Sequence, residues 1–325
     1  MKLATPEEHP FAQFVRILGK GKRGARGLTR DEAREAMGML LDGRVTDAQL
    51  GAFLMLLRHK EETADELAGF TEAVRSRLEA PSIPVDLDWP SYAGKKRHLP
   101  WFLLSIRCLA QNGVRVLIHG GGLHTGGRLY TEQLLQLLDI PACSNWSEVE
   151  QALDSQSVGF IPLGVWMPTL QHMIDLRAEL GLRSPIHSLA RLINPLSARC
   201  GLQSIFHPGY QDVHRQAAAL LGDTALVIKG EGGEIEMNPD ANGQLYGTHG
   251  GTTWDEAWPA LSPQRQVKPA SLNAEHLVAV WKGDASDAYG EMAIVATVAL
   301  ALRGLGHDRE NALVLANSYW KGRKH

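Results

Sequence analysis

LTRDEAREAMGMLLDGRVTDAQLGAFLMLLRHKEETADELAGFTEAV, Leu28 to Val74, holds three threonines each followed three residues later by an acid or an amide: Thr29 with Glu32, Thr46 with Gln49, and Thr63 with Glu66. In such a capping box the threonine oxygen accepts from a free backbone N–H of the first helical turn, and the acid or amide accepts from the threonine N–H in return. Three successive helices are therefore expected, each opening just after its threonine. The helix after Thr46 carries Leu50, Phe53, Leu54 and Leu57 on one face. Gly51 beside that stripe predicts close helix packing. A first helix is expected near Phe11 to Leu18, and Pro81 and Pro84 mark a linker. Residues 1–80 thus read as a small all-helical domain.

Beyond Trp89 short apolar strands alternate with helices, the pattern of an α/β lobe with a mainly parallel sheet over 89–325. The expected strands are Val114–His119, Val158–Leu163, Leu202–Phe206 and Ala225–Lys229. The expected helices are Leu99–Gln111, Thr131–Leu138, Thr169–Leu180, His187–Leu192, Tyr210–Leu221, Asn273–Trp281, Ala288–Leu302 and Arg309–Tyr319. Helices from about 168–195 are expected to join the small domain. Glycines after a strand, as at Gly120 to Gly122, are where a parallel sheet places ligand loops.

The hydrophobic fraction of 44% and charged fraction of 21% describe a globular chain rather than a disordered one. No apolar run reaches the roughly 20 residues of a membrane span, and the N-terminus lacks a signal-peptide core, so a cytoplasmic location without membrane partners is expected. Cys108, Cys143 and Cys200 have no metal-ligand spacing and read as structural thiols. The formal charge is −3, yet the charges are sectored. Arg16, Lys20, Lys22, Arg23, Arg26 and Arg30 lie in an acid-free stretch, as do Lys95, Lys96, Arg97, Arg107, Arg115 and Arg128. A third holds Arg183, Arg191 and Arg199, and the chain ends in Lys321, Arg323 and Lys324. Any one run reads most simply as a solvated surface; four together can build a positive face.

The Leu28–Val74 stretch resembles the helical domain shared by anthranilate phosphoribosyltransferases and pyrimidine nucleoside phosphorylases. RAELGLRSPIHSLARLINPL, Arg177 to Leu196, resembles the same family's two-helix segment ending in Asn-Pro-Leu. The resemblance implies a helical domain docked on an α/β domain, a ligand cleft between them, and a homodimer through the helices.

Against that pattern the departures fall on the chemistry. The resemblance implies a glycine-rich GTGGD loop after the first strand, whose bare backbone N–H groups cradle a diphosphate. PSYAGKKRHLP, Pro90 to Pro100, stands there, keeping Gly94 and adding Lys95, Lys96 and Arg97. A KHGN-type turn is matched by His119 and Gly120, with Ile118 in place of the lysine; His119 itself reads as a hydrogen-bonded loop residue. The acceptor-binding His-Pro pair is Met167-Pro168, although Arg177 matches the accompanying arginine. The magnesium-binding Asp-Glu pair corresponds to Ile235-Glu236. Glu234 and Glu236 are expected on one side of a strand as solvated charges.

ILGKGKRGARGLTRDEA, Ile17 to Ala33, is similar to the segment that marks the YbiB-like branch of this family, a branch that implies dimeric, non-sequence-specific DNA binding. Non-specific binding of DNA or RNA is thus the expected function, through Lys20, Lys22, Arg23, Arg26, Lys95, Lys96, Arg97, Lys321, Arg323 and Lys324. Tyr92 and Trp320 are the expected exposed aromatics for stacking on bases. A possible ligand cleft comprises Gly94, His119, Gly120, Arg177 and Arg183. No catalytic residue, metal site or cofactor is expected. The alternative is a phosphoribosyltransferase or nucleoside phosphorylase of altered specificity, under which Mg²⁺ would be needed; a protein-interaction scaffold is a third reading. No helix-turn-helix or zinc-finger pattern supports base-specific recognition.

Overall fold

The computed structural model describes residues 7–21, 23–123, 125–207, 209–262, 265 and 271–324. Its first part is four helices, α1 (Ala12–Gly19), α2 (Arg30–Leu41), α3 (Asp47–Lys60) and α4 (Ala64–Arg75). All three capping boxes form: the N–H groups of Glu32, Gln49 and Glu66 lie 3.3, 3.3 and 3.2 Å from their threonine oxygens. Glu66 goes further, because its buried carboxylate also accepts from Leu28 N at 2.8 Å and from Lys60 Nζ at 2.9 Å, tying the entry of α2 to α4. Phe11, Phe14, Phe53 and Phe70 form an edge-to-face chain through the centre. The close approach sits at Gly69 and not at Gly51. A Cβ on Gly69 would lie 2.2 Å from Arg30 O, whereas at Gly51 it would meet only Leu180 at an ordinary 3.9 Å.

The larger part is built on a seven-stranded sheet in the order β3-β2-β1-β4-β5-β6-β7. Its strands are β1 (Leu87–Ser91), β2 (Val116–Gly120), β3 (Val158–Pro162), β4 (Cys200–Ser204), β5 (Ala225–Ile228), β6 (Gly243–His249) and β7 (Thr252–Trp258). The first five run parallel; β6 and β7 form an antiparallel hairpin on one edge. Four strands lie where the apolar runs place them. The central β1 is implied by the resemblance, which puts a first strand before the Pro90 loop, but no apolar run marks it, since LDWPS carries an acid and a proline that normally argue against an interior strand. The hairpin was missed because its residues are largely polar and half-exposed.

Helices α5 (Phe102–Gln111), α6 (Trp146–Gln156), α7 (Leu163–Trp166), α8 (Pro168–Asp175), α9 (Arg177–Leu180), α10 (Ile186–Leu189) and α11 (Tyr210–Leu220) follow the parallel strands. Three more, α12 (Glu275–Lys282), α13 (Ala288–Gly304) and α14 (Arg309–Lys321), complete the chain. The expected helix over Thr131–Leu138 is instead two single 3-10 turns. The unexpected α6 is capped by Asn145, whose Oδ1 accepts from Glu148 N at 2.9 Å. One apolar cluster joins α5, α13 and α14 to the sheet, and a second runs without a break from Phe11 through α3 and α4 to Leu170, Ile186 and Ile193. Arg75 at the end of α4 clasps Asp223 at 2.6 Å and donates to the carbonyls of Leu192 and Ile193, so the two parts are locked by charge as well as by apolar packing. The three cysteines are buried and free, with thiols pushed up to about 12, 11 and 12 by burial. Among the described residues no helix is long and apolar enough to cross a membrane.

On the buried face of α11, His214 is fully buried and its Nδ1 donates to Gln203 Oε1 at 2.9 Å, while Nε2 has no partner. Burial, reinforced by the nearby Arg191 charge, lowers its pKa from 6.5 to about 3. Between those values the unfolded chain binds a proton that the native chain refuses, so stability rises with pH there and is lost as pH falls below 6.5. Urea unfolding between pH 6.5 and 4 is expected to show this loss at about 1.4 kcal/mol per pH unit for this group. His214→Gln should flatten that part of the pH dependence; an unchanged slope would mean that His214 does not contribute to it.

Candidate functional site

The sheet opens at its carboxyl end between β1 and β4. β1 pairs with β2 over its whole length, but with β4 only at Leu87 and Asp88. Pro90 has no N–H to continue the ladder toward β4, and the chain leaves the two strands toward opposite sides. This is the switch point of a parallel α/β sheet, where a crevice forms and ligands bind.

The loop after β1 enters that crevice, and Gly94 turns it at φ 67°. The backbone N–H groups of Ala93 and Gly94 point to one spot, as a phosphate cradle would require. The spot is filled from within. Glu234 Oε1 accepts from Ala93 N at 2.7 Å and from Gly94 N at 2.6 Å, while its Oε2 accepts from Ser91 Oγ at 2.9 Å. Lys95, 1% exposed, turns inward to Glu236 at 2.6 Å, and Glu236 also accepts from Phe102 N at 2.9 Å. Burial pushes the Glu236 carboxyl up, and Lys95 opposes the shift.

Several expectations are corrected here. Lys95 cannot face nucleic acid, because it neutralises a buried carboxylate. Glu234 and Glu236 are neither on a strand nor solvated; both lie in the turn after β5 with their oxygens engaged. They do not fit the family's Mg²⁺, since the donors that hold them occupy the positions a cation would need. His119 and Gly120 line no cleft. His119 is buried within β2, its Nδ1 2.8 Å from the Tyr92 hydroxyl and its Nε2 3.3 Å from Asp88. Gly120 is packed so closely on β1 that a Cβ would lie 2.7 Å from Ser91 O. Gly94 is buried too, its N–H spent on Glu234. Tyr92 and Trp320 are buried at 0% and 6% exposure, and neither can stack on a base.

Glu234→Ala would orphan the two buried N–H groups of Ala93 and Gly94, while the Ser91 hydroxyl would keep Thr131 Oγ1 as its partner. A loss of about 2–4 kcal/mol in urea unfolding is expected; no loss would mean that the loop holds its shape without the carboxylate.

Four arginines gather around the crevice mouth, with Asp175 beside Arg177. Arg177 and Arg183 both donate to Thr125 Oγ1, at 2.7 and 3.2 Å, so these two expected cleft residues do meet. Arg128 donates to the carbonyls of Ala93, Gly94 and Gly232. Arg191, fully buried beside the Tyr92 ring, donates to the carbonyls of Ser204 and His187. Among the described residues no carboxylate lies within ion-pair distance of Arg128, Arg183 or Arg191. Burial first, and then the neighbouring guanidinium groups of Arg191, Arg128 and Arg177, pull Arg183 down to about 10, while Glu234 acts on Arg191 in the opposite sense. Arg128 and Arg191 were visible in acid-free stretches, but nothing in their spacing places them together.

The outer cations divide into two groups. Lys20, Arg23, Lys96, Arg97, Lys321 and Lys324 are exposed, and no ion pair engages them among the described residues. Lys22 lies outside those residues. Arg26 is committed to Glu32 through two bonds of 2.6 and 2.7 Å, which hold the Glu32 carboxyl down to about 2. Arg16 pairs with Glu8, and Arg30 with Glu72. Arg323 stacks on Trp320 at 3.6 Å and donates to the carbonyls of Trp281, Trp320 and Val280, so it closes the C-terminal helix instead of facing a ligand.

A helical bundle docked on a mainly parallel sheet with its crevice at the β1–β4 switch is the nucleoside phosphorylase and phosphoribosyltransferase type of α/β fold. Residues 14–78 match the helical bundle domain of a glycosyl transferase family. The chain is 30% identical to the Escherichia coli (strain K12) protein YbiB over 241 residues, 72% of this chain and 75% of that one. It is also 30% identical to the anthranilate phosphoribosyltransferase of Methylocella silvestris, over 94% of this chain and 91% of that enzyme. The crystal structure of anthranilate phosphoribosyltransferase from Thermus thermophilus superposes with a TM-score of 0.76 at 22% identity, covering 94% of each chain. The chain belongs to the anthranilate phosphoribosyltransferase-like family, glycosyltransferase family 3, and is similar to YbiB.

Proposed function

We propose that this protein binds nucleic acid without sequence specificity, as a non-catalytic homodimer, through phosphate contacts. The observation that carries the reading is the pairing of a closed cradle with an open positive surface. Glu234 occupies the backbone donors that a diphosphate would need, while among the described residues Arg128, Arg183 and Arg191 at the crevice and Lys20, Arg23, Lys96 and Arg97 outside it have no carboxylate in an ion pair. Transfer chemistry requires a held diphosphate, a neutralising metal and an oriented acceptor. Here an internal carboxylate stands in place of the first, and the carboxylates that would hold the second are spent. The surface cations instead suit a polyanion bound by its backbone, with affinity arising from counterion release. DNA and RNA satisfy this chemistry alike.

The test is fluorescence anisotropy with labelled DNA and RNA over a salt series, beside thermal shift with phosphoribosyl diphosphate and Mg²⁺. Expected are affinity that falls steeply with salt, no dependence on sequence, and no stabilisation by the diphosphate. A saturable rise with the diphosphate, together with product formation from anthranilate, would favour the transferase reading that the named relatives support. A sedimentation measurement showing only monomer would remove the dimer.

A further inference from the structure

The parallel strands all end on one edge of the sheet, and that edge carries an unusual mixture of side chains. Leu123 follows β2 and is 60% exposed; Val165 follows β3 and is 41% exposed; Phe206 follows β4 and is 57% exposed. Leu182, 54% exposed, adjoins Arg183. Two of these apolar side chains, Phe206 and Leu182, adjoin cations. Lys229, directly after β5, places its ammonium 5.8 Å from the Phe206 ring centre, and the exposed His207 ring stands edge-on to Phe206 at 6.1 Å. Arg191 donates at 3.0 Å to the carbonyl of Ser204, two residues before Phe206, which joins this end of the edge to the arginine cluster. No carboxylate pairs with Lys229 among the described residues.

A protein partner would not by itself explain an exposed aromatic ring with an unpaired ammonium over it. A chain of phosphates with unpaired bases would. In a duplex the base faces are stacked on one another, so an exposed ring cannot reach them; in a single strand they are available, and any base can stack. We propose that the C-terminal edge of the parallel strands is a track for single-stranded nucleic acid, with a base stacked on Phe206 and flanking phosphates on Lys229 and Arg183. The inference rests on the nucleic-acid reading above and adds strand preference and a stacking residue to it.

The experiment compares labelled oligodeoxythymidine with a mixed-sequence duplex at fixed salt, for the full chain, Phe206→Ala, Phe206→Trp and the control Val314→Ala, an exposed position on α14. Phe206→Ala is expected to weaken single-strand binding about 10-fold and to leave duplex binding within about twofold, with recovery in Phe206→Trp. Sedimentation of the same proteins checks that assembly is unchanged. Equal losses on both forms, no loss on either, or a change of oligomeric state in Phe206→Ala would overturn the track. Duplex binding that persists in those cases leaves the nucleic-acid reading standing. Absence of all binding by the wild-type chain at low salt would remove that reading and the track together.

Discussion

Lys95→Met is expected to destabilise the protein by about 3–5 kcal/mol, because it strands the Glu236 carboxylate in the interior without its counter-charge. Urea unfolding followed by circular dichroism reads the effect. Lys96→Met, one residue on and exposed, should change stability by no more than about 0.5 kcal/mol. The double variant Lys95→Met/Glu236→Leu should recover much of the loss, since removing both charges leaves only the Phe102 N–H without its acceptor. A Lys95→Met protein as stable as wild type would show that the pair is not structural, and Lys95 would return to the surface cations. The same reasoning bears on charge reversal of Lys95, Lys96 and Arg97 together: lost binding in that variant would report unfolding as readily as lost contacts.

Reversal of the exposed cations alone separates the two. Lys20→Glu/Arg23→Glu/Lys96→Glu/Arg97→Glu changes side chains without a carboxylate partner among the described residues, and its unfolding midpoint should stay close to wild type. Each lost phosphate contact lowers the slope of log affinity against log salt by about 1, so four contacts correspond to a loss of roughly 10²- to 10³-fold at physiological salt. Anisotropy titrations at several salt concentrations give both the slope and the affinity. An unchanged slope in a folded variant would place the nucleic acid elsewhere, on the arginine cluster at the crevice mouth alone. Arg26 is left out of this variant because it is bound to Glu32.

The two variants differ because adjacent residues of one basic run have opposite fates. Lys95, Lys96 and Arg97 are indistinguishable as a charge pattern. Gly94 turns the backbone so that Lys95 enters the interior while its neighbours remain in water. The aromatic expectation failed for a related reason. Tyr92 and Trp320 stand beside cations in sequence, yet the first is covered by Arg191 and bonded to His119, and the second lies under Arg323. Phe206 reads as the last residue of an apolar strand; only the end of β4 at Ser204 leaves its ring outside.

The features legible in the sequence are local. Capping boxes depend on residues three apart, so Thr29, Thr46 and Thr63 announce their helices wherever the chain goes. Apolar runs likewise announce β2, β3, β4 and β5, because strands buried on both faces need little from their neighbours to be recognised. The departures at the loop after β1 were legible too, as missing glycines. Tertiary structure decided which charges remain charges at the surface. Glu234 reaches Gly94 across 140 positions of sequence, and Lys95 reaches Glu236 across 141. The four arginines come together only where β1 parts from β4. A buried polar group must find a partner, and a surface one need not; which condition applies to a given side chain depends on the path of the whole backbone.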